Sequence, residues 1–467
     1  MEVNLSFHGG AGTVTGSRHL LRVGSQSILV DAGLFQGLKE LRLLNWQQPD
    51  FEIGSVDHLL LTHAHIDHSG YLPRLVRDGF SGPVYCTPAT LDLAKLLLMD
   101  AAKIQEEDAR YANRKGFSKH RPALPLYTSE HAEAAIQLMR PVPYGQWLEL
   151  GDGVKAQFRN VGHILGSAMI ELHVPSEKKE TMLVFSGDVG RYGVPLHSDP
   201  AAPPVCDFMV VESTYGDRAH DHRPLQAQLS EPIRKAFDRG GTVLIPSFAV
   251  GRAQLVTLIL RELMNDGDLP DVPIHIDSPM AVDATRIYSH HLRDESLDEN
   301  LAEDGANRLF PRNVKFHRTV EESKELNELP GPRIIISASG MLTAGRVLHH
   351  LRRLLPEQRN LILLVGYQAA GTRGRALLEG AKTLRMHGMD VPVRASFQSL
   401  QGLSAHADAD ELLRWLRSSE KPPPTVFVTH GEPEASRKLA RRIEEELRSR
   451  CFVPELRDAF ELGQLSA

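Results

Sequence analysis

The sequence predicts an α/β protein in which one α/β domain interrupts a β-rich domain. Two stretches, before about residue 212 and after about residue 394, contain short apolar runs that end at polar residues of metal-binding type. Between them, apolar runs alternate with helix-length segments, which is the pattern of a parallel sheet with helical crossovers. Because polar strand ends lie on both sides of this block, the sequence favours an insertion over two tandem domains.

The composition is that of an ordinary globular protein. Of the 467 residues, 42% are hydrophobic and 24% are charged, and the net charge is -6. The N-terminus lacks the pattern of a signal peptide, and no apolar run approaches the ~20 residues that span a bilayer. The three cysteines are far apart and form no CxxC pattern. We therefore predict a cytoplasmic protein with no membrane partner.

The first β-rich stretch begins with a hairpin. Its strands are predicted over 18–23 and 28–30, and the second strand ends at Asp31. Further strands are predicted over 59–61, 83–86, 147–150, 154–160, 168–174, 182–185 and 207–211, and helices over 69–76, 88–110 and 129–140. Polar residues follow three of the later strands, namely His163, Asp188 and Glu212.

A dense group of metal-binding residues follows the strand over 59–61. The segment 63–68 reads HAHIDH and offers three imidazoles and a carboxylate within six residues. Imidazole and carboxylate are the usual protein ligands of zinc and related divalent ions. Such strongly solvated side chains are costly to bury beside a core strand unless they are paired or bind a metal. This segment therefore predicts a metal centre.

The inserted block is predicted to form a parallel sheet. Strands are predicted over 242–245, 274–276, 333–336 and 361–365, with helices that begin near Pro224, Gly251, Pro279 and Ala344. The acidic segment 294–304 is predicted to be an exposed connector. After the block, a strand over 425–428 leads to His430 and a charged helix over 433–448.

The region 333–394 is locally basic. It contains ten lysine and arginine residues against three acidic residues, Glu357, Glu379 and Asp390. A local basic field can guide a polyanion even when the whole chain is acidic. A solvated helix face explains the same composition equally well, and the sequence leaves both interpretations open.

With these motifs assembled, the whole chain resembles the β-CASP nucleases of the metallo-β-lactamase superfamily. The matching motifs are Asp31, HAHIDH at 63–68, His163 in GHILGS, Asp188 in SGD, Glu212 in VESTYG, His406 in SAHAD and His430 in VTHGE. The segments GGAGTVTGS at 9–17 and SASGML at 337–342 are similar to the branch of the pre-mRNA 3′-end cleavage endonuclease, in a minimal bacterial form.

The resemblance implies a fold and a division of the chain. The expected fold is a metallo-β-lactamase αββα sandwich with an inserted β-CASP α/β domain. Residues 1–208 would form the first part of the sandwich, 209–394 the insertion and 395–467 the segment that completes the sandwich.

The resemblance also implies a site for two zinc ions, with manganese as the alternative. His63, His65 and His163 would hold one ion, Asp67, His68 and His430 the other, and Asp188 would bridge them. Two such ions can clamp a phosphodiester and generate hydroxide at neutral pH. The resemblance implies that Asp67, besides binding an ion, takes part in catalysis. Asp31 would orient a ligand or the water, or else cap a turn. Glu212 would support His406 as the general acid that protonates the leaving 3′ oxygen.

The implied partner is single-stranded RNA. His430 is the residue of RNA-acting members of this branch, whereas the DNA-acting members have valine there. Ser337, Ser339 and Gly340 precede a predicted helix N-terminus that could hold a phosphate, and Arg373 lies in a glycine-bearing loop; ordinary turns explain these residues equally well.

The resemblance favours an endonuclease that leaves a 5′ phosphate and a 3′ hydroxyl. The alternatives are a 5′-to-3′ exoribonuclease, a non-catalytic RNA-binding scaffold, and a hydrolase of thioesters or lactams. The sequence does not distinguish a monomer from a homodimer.

Overall fold

The computed structural model describes residues 2–116, 118–176, 180–221, 223–303, 309, 313–329, 331–366, 368 and 371–465. Two seven-stranded sheets form the larger domain. The first sheet contains β1 (Val3–Gly9), β2 (Arg18–Val23), β3 (Gln26–Val30), β4 (His58–Leu60), β5 (Val84–Cys86), β6 (Met139–Pro141) and β22 (Ala459–Glu461), in the order β22-β1-β2-β3-β4-β5-β6. The second contains β7 (Leu148–Gly151), β8 (Val154–Asn160), β9 (Ala168–Val174), β10 (Thr181–Phe185), β11 (Phe208–Val211), β20 (Thr425–Val428) and β21 (Arg450–Phe452), in the order β21-β20-β11-β10-β9-β8-β7.

The two sheets pack face to face and carry helices on their outer faces. Strand β1 alternates buried and half-buried residues, as expected for a sheet with one face in the core. In the second sheet, inward residues such as Phe158 and Phe185 pack against the first sheet. Outward residues such as Val184 form another cluster with α13 (Ala409–Arg417) and α14 (Pro433–Leu447). This arrangement is the predicted αββα sandwich.

Among the described residues, six further α-helices complete the domain, and the longest of them has 28 residues. They are α1 (Lys39–Leu44), α2 (Ile66–Ser69), α3 (Leu72–Arg77), α4 (Pro88–Lys115), α5 (Ser129–Leu138) and α15 (Leu462–Leu465). The predicted helix over 69–76 is thus divided, and its first turn begins three residues earlier, inside the HAHIDH segment.

The third sheet forms the inserted domain, and all of its strands are parallel. Its strands are β12 (Thr242–Pro246), β13 (Ile274–Ile276), β14 (Val314–Phe316), β15 (Arg333–Ser337), β16 (Leu361–Leu364) and β19 (Ser396–Ser399), in the order β14-β13-β15-β12-β16-β19. Its helices are α6 (Leu225–Phe237), α7 (Arg252–Asn265), α8 (Pro279–His290), α9 (Asn300–Glu303), α10 (Val320–Glu325), α11 (Val347–Leu354) and α12 (Arg373–Leu378), and a small hairpin joins β17 (Thr383–Met386) to β18 (Met389–Pro392).

Helices lie on both faces of the third sheet. Leu255 and Ile259 of α7 belong to the cluster that contains Ile245, whereas Leu351 of α11 belongs to the cluster that contains Leu244. Because successive strand residues point to opposite faces, the two helices cover opposite faces. The predicted alternation of strands and helices is therefore confirmed for this block.

Strand pairing differs from the predicted division at both internal boundaries. β11 extends past residue 208 and pairs with β10 and β20 in the second sheet. β19 begins after residue 394 but pairs with β16 in the third sheet. Pairing therefore favours an insertion from about 212 to 399, and the three-segment division itself stays a prediction.

The prediction of an exposed connector over 294–304 is wrong for its first half. Ser296 is fully buried, and its hydroxyl accepts a hydrogen bond of 2.8 Å from the backbone N–H of Gly166 in the sandwich. Nearby, the hydroxyl of Tyr288 accepts one of 3.2 Å from the N–H of Leu165. The acidic residues around Ser296 led to the prediction of an exposed segment, although this buried serine joins the two domains. Residue 304 lies outside the described residues.

The structure contains no helix, in the part of the chain that it describes, with the length and apolarity to cross a bilayer.

Trp415 offers a test of the packing between the second sheet and its helices. This side chain is fully buried, and its indole N–H donates a 2.9 Å hydrogen bond to the carbonyl of Ala201. We expect Trp415→Ala to lower the free energy of unfolding by about 3–5 kcal/mol, measured as a lower urea midpoint. Trp46→Ala is the control, because Trp46 is exposed. If Trp46→Ala lowered the free energy of unfolding as much as Trp415→Ala, the prediction would be contradicted.

Candidate metal centre and active site

The seven residues predicted as metal ligands lie together at one edge of the sandwich. β4 ends at Leu60, and the chain turns at His63 before α2 begins at Ile66, so that this short helix carries Asp67 and His68. The potential ligand atoms form two groups, each within 4.8 Å of one another: His63, His65, His163 and Asp188, and Asp67, His68 and His430.

The first group consists of three imidazoles around one carboxylate oxygen. His65 Nδ1 lies 3.1 Å from His63 Nε2 and 3.2 Å from His163 Nε2. Asp188 Oδ2 lies 3.4 Å from His63 Nε2 and 3.5 Å from His163 Nε2. Burial lowers the pKa of both His65 and His163 well below its usual value, and neighbouring histidines lower it further. Both rings are therefore neutral, which is the form that binds a cation.

The second group converges on the other oxygen of Asp188. Asp188 Oδ1 lies 3.1 Å from His68 Nε2 and 3.5 Å from His430 Nε2. Asp67 Oδ2 is 4.0 Å from His430 Nε2. Burial alone would raise the pKa of Asp188, but the adjacent His430 and His68 lower it well below its usual value. The ionised carboxylate thus presents one oxygen to each group.

Two buried atoms test whether a cation fits here. His68 Nε2 and Asp188 Oδ1 are fully buried and lie 3.1 Å apart, but their geometry does not form a hydrogen bond, and neither atom makes one with any other described residue. Buried polar atoms without partners are uncommon in native proteins. Imidazole nitrogens and carboxylate oxygens in this number are the donors that divalent cations prefer. The site therefore fits divalent cations.

Asp31 supports the centre from behind. Its Oδ2 lies 2.7 Å from His68 Nδ1, and its Oδ1 accepts a 2.8 Å hydrogen bond from the backbone N–H of Thr62. The ring nitrogen that faces Asp31 thus carries the proton, which leaves Nε2 for a metal. Asp31 also adopts φ +62°, a left-handed conformation that aspartate and asparagine tolerate better than most residues.

We expect Asp31→Asn to weaken metal binding without disturbing the fold. Asparagine tolerates the left-handed backbone but loses the charge that fixes the His68 proton, so affinity for one ion should fall about 10–100-fold. Titration of the protein with zinc measures this loss. Asp57→Asn is the matched control, because Asp57 also caps a backbone N–H of this sheet but lies outside the site. Equal affinities in the two variants would contradict the role of Asp31.

The glycine-rich segment 9–17 holds His430 in place. Ser17 Oγ lies 2.7 Å from His430 Nδ1, and the N–H of His430 donates a 2.6 Å hydrogen bond to the carbonyl of Gly10. His430 has φ +48°, so the backbone adopts a left-handed conformation to direct the ring inward. Sequence reasoning missed Ser17, because 413 residues separate it from His430 and no local spacing links them.

Glu212 and His406 form a pair beside Asp188. His406 Nδ1 lies 3.1 Å from Glu212 Oε1 and 3.9 Å from Asp188 Oδ2. Glu212 is fully buried and also accepts a 2.7 Å hydrogen bond from the N–H of Val189, whereas the His406 side chain remains 19% exposed. Burial alone would lower the pKa of His406, but the carboxylates of Glu212 and Asp188 raise it to about 9.

A buried histidine fixes the backbone of His406. His220 Nε2 lies 3.0 Å from the carbonyl oxygen of His406. The backbone N–H of His220 donates a 2.7 Å hydrogen bond to Asp408 Oδ2. Asp408 in turn caps α13. Sequence reasoning missed His220, because the residues around it form no pattern that separates it from histidines at the surface.

The residues predicted to contact substrate lie at the carboxyl ends of the third sheet, but their environments differ from the prediction. Ser337 is fully buried, and its hydroxyl donates to the carbonyl of Asp277 at 3.1 Å. Ser339 is half-buried and its hydroxyl lies 2.9 Å from that of Thr343. The guanidinium of Arg373 donates to the carbonyls of Leu342, Thr343 and Arg385.

The predicted helix N-terminus is displaced from these residues. α11 begins at Val347, seven residues after Gly340, so its free N–H groups do not lie directly behind the serines. The half-buried Ser339 hydroxyl already pairs with that of Thr343, and the buried Ser337 side chain does not favour a direct substrate contact.

Three of the ten basic residues of the region 333–394 lie at the opposite edge of the third sheet. Arg333 opens β15, Arg359 precedes β16 by two residues, and Arg394 precedes β19 by two residues. The amino ends of parallel strands share one edge, which lies away from the edge of Ser337 and Gly340. Arg359 and Arg394 are exposed there, which favours a solvated face over a field directed at the metal centre, whereas Arg333 is buried and donates to the carbonyl of Leu329.

Comparison with known proteins gives three consecutive family matches. The model of the metallo-β-lactamase superfamily matches residues 14–247, that of the Beta-Casp domain residues 253–377, and that of the Zn-dependent metallo-hydrolase RNA specificity domain residues 390–454. Ribonuclease TTHA0252 of Thermus thermophilus is 39% identical over 429 residues, which cover 91% of this chain and 92% of that protein. The chain belongs to the β-CASP family of metallo-β-lactamases. The fold and family implied by the motifs are thereby confirmed.

Other β-CASP relatives are longer than this chain. Transcription termination factor FttA of Methanocaldococcus jannaschii is 30% identical over 473 residues, which cover 98% of this chain and 71% of that protein. A solved structure titled as a protein of unknown function from Enterococcus faecalis V583 covers 99% of this chain with a TM-score of 0.56 and 13% identity. At that identity the likeness supports the fold alone.

Proposed function

We propose that this β-CASP protein is a metal-dependent ribonuclease that cuts single-stranded RNA internally and leaves a 5′ phosphate and a 3′ hydroxyl. The proposal rests chiefly on one observation: His406 Nδ1 lies 3.1 Å from a buried carboxylate and 3.9 Å from Asp188. This distance brings a carboxylate-supported proton donor next to the donors that fit divalent cations. The name of the Thermus thermophilus relative, a ribonuclease, supports the choice of RNA as substrate.

We propose that the site holds two zinc ions, with manganese as the alternative. His63, His65 and His163 would hold one ion, Asp67, His68 and His430 the other, and Asp188 would serve both. When bound, such ions polarise a phosphate oxygen and lower the pKa of water.

The protein's own groups then transfer two protons. The Asp67 side chain is 24% exposed and can accept the proton that the attacking water loses. As the bond between phosphorus and the 3′ oxygen breaks, His406 donates its proton to that oxygen. Glu212 stabilises the protonated imidazole before the transfer and fixes the ring. Asp31 orients His68 through the 2.7 Å contact between its Oδ2 and His68 Nδ1.

A single assay separates the main alternatives. The purified protein is incubated with uncapped single-stranded RNA labelled at the 5′ end, with the same RNA labelled at the 3′ end, and with DNA of the same sequence. We expect internal fragments from RNA only, with 5′ phosphate ends. Chelation should abolish cutting, and zinc or manganese should restore it.

Other outcomes would redirect the proposal. Release of mononucleotides alone would indicate a 5′-to-3′ exoribonuclease. No turnover of RNA by protein that contains both ions would leave a non-catalytic RNA-binding scaffold. Turnover of thioesters or lactams in place of RNA would identify a different hydrolase. The cytoplasmic location stays a prediction, and the choice between a monomer and a homodimer stays open.

A further inference from the structure

The order of the third sheet creates a crevice at the carboxyl ends of two neighbouring strands. β12 and β15 are adjacent, yet the chain leaves β12 toward β13 and leaves β15 toward β16, on the other side. In open α/β sheets, such a reversal of strand order opens a crevice outside the carboxyl ends, and ligands bind there. The loop 247–251 after β12 and the loop 338–346 after β15 line this crevice.

Phe248 lies in the first of these loops and is 37% exposed. Its backbone is fixed on both sides, because its carbonyl accepts hydrogen bonds from Ser247 Oγ at 3.0 Å and from the N–H of Ala253 at 3.2 Å. The N–H of Ser247 also donates to the carbonyl of Ser337 at 3.0 Å, which joins the two loops. An exposed aromatic residue alone is ordinary, but this one is held rigidly at a ligand-binding position.

Two glycines lie against the ring of Phe248. A Cβ at Gly340 would lie 3.2 Å from ring atoms Cδ2 and Cε2 of Phe248, and a Cβ at Gly366 would lie 3.4 Å from Cε2. Neither glycine has the left-handed backbone that requires glycine, so conformation does not account for them. Their missing side chains instead allow the ring to approach both backbones closely. One part of the ring is thus fixed by the protein, while more than a third of the residue stays open to solvent.

The same loop connects the crevice to the metal centre. Gly251, at its end, has φ +76°, and a Cβ there would lie 3.1 Å from Cγ2 of Ile164, the residue after His163. Phe248 lies three residues before Gly251, so its backbone lies within roughly 11 Å of this contact. We therefore expect RNA bound at the centre to come within reach of the exposed ring.

We infer that Phe248 is a positioning residue on which one nucleobase of the bound RNA stacks. The inference rests on the proposed ribonuclease function. Stacking of bases on aromatic side chains is the common way in which proteins hold unpaired RNA, and it tolerates any base because every base has a π-face. Phe248 thereby fixes the distance between one base and the phosphodiester that is cut.

The test combines protein variants with RNA that lacks single bases. Phe248→Leu removes the ring, Phe248→Tyr retains it, and Gly340→Ala displaces it without removing it. Phe397→Leu is the matched control, because Phe397 is also 37% exposed but is the second residue of β19, near the amino edge of the same sheet. The kcat and KM of each are measured on RNAs that carry one abasic nucleotide, moved along the chain in steps.

We expect one abasic position to raise the KM of the unmodified enzyme about 10- to 100-fold. Phe248→Leu should raise KM similarly on intact RNA, and the abasic nucleotide at that position should then add little. Gly340→Ala should follow Phe248→Leu, whereas Phe248→Tyr and Phe397→Leu should behave as the unmodified enzyme. The inference would be overturned by an unchanged KM for Phe248→Leu. It would also be overturned if, at every abasic position, the increase in KM caused by the abasic nucleotide were as large in Phe248→Leu as in the unmodified enzyme.

A fluorescence measurement separates failure of stacking from failure of the ribonuclease proposal. RNA that carries 2-aminopurine at the sensitive position, or at each position in turn, is mixed with metal-loaded His406→Ala protein. The fluorescence of 2-aminopurine should be quenched when this protein binds the RNA. It should remain high when the protein carries Phe248→Leu in addition to His406→Ala. Quenching that persists with leucine overturns the stacking. Quenching that depends on Phe248 in a protein that cuts no RNA would retain the stacking and overturn the nuclease.

Discussion

Asp188→Ala is expected to release the metal ions and to lower kcat/KM on RNA by about 10³–10⁵-fold. Asp188 presents one oxygen to each ligand group, so no other single side chain among the described residues serves both. The proposed ions would contribute several kcal/mol to stabilisation of the transition state, and each 1.36 kcal/mol corresponds to about a factor of ten in rate. Elemental analysis of the purified protein, together with cleavage rates, measures both effects.

Asp207→Ala serves as the control for that variant. Asp207 precedes β11 in the same sheet, and its carboxylate accepts a hydrogen bond from the N–H of Met182, remote from the ligands. It should retain both ions and near-normal activity. If Asp188→Ala instead retained two ions per chain, the bridging position of this carboxylate would be refuted.

His406→Ala is expected to lower kcat on RNA by about 10²–10⁴-fold while both ions remain bound. The leaving 3′ oxygen is strongly basic and requires a proton, which alanine cannot supply. A nitrophenyl phosphodiester provides the sharpest comparison, because its leaving group departs without a proton. The variant should therefore cleave this substrate at close to the normal rate.

Two further variants refine this result. Glu212→Gln keeps the shape of the pair but removes its charge, and should lower the RNA rate less than His406→Ala does. His349→Ala, at an exposed position on α11, should have no effect. Equal losses on RNA and on the nitrophenyl substrate would indicate that His406 positions the site and is not the acid.

Local motifs predicted most of the centre because each ligand directly follows a strand. The residues His63, His65 and His68 belong to one short segment, and β4 and α2 direct them to the same place. Contacts between distant segments carry no such signal. Ser17 and His220 support His430 and His406 only after the sheets have formed, so they became visible only in the structure.

The same limit explains one question that the sequence left open in the inserted domain and one prediction that was wrong. Arginine content over 333–394 says nothing about which edge of a parallel sheet the side chains occupy, and the strand starts place several of them away from the centre. Likewise, the acidic character of 294–299 concealed Ser296, which is buried against the sandwich. Composition predicts exposure on average, whereas a single interdomain hydrogen bond depends on tertiary packing.

The position of β20 in the second sheet has a consequence during protein synthesis. This strand, residues Thr425–Val428, lies between β11 and β21, although more than 200 residues of the inserted domain and its flanks separate it from β11 along the chain. A nascent chain that has not yet emerged from the ribosome beyond this strand has an open sheet edge and lacks His430. Its second ligand group is therefore incomplete, with Asp67 and His68 but not His430, and we expect the metal centre to assemble only when translation is almost finished.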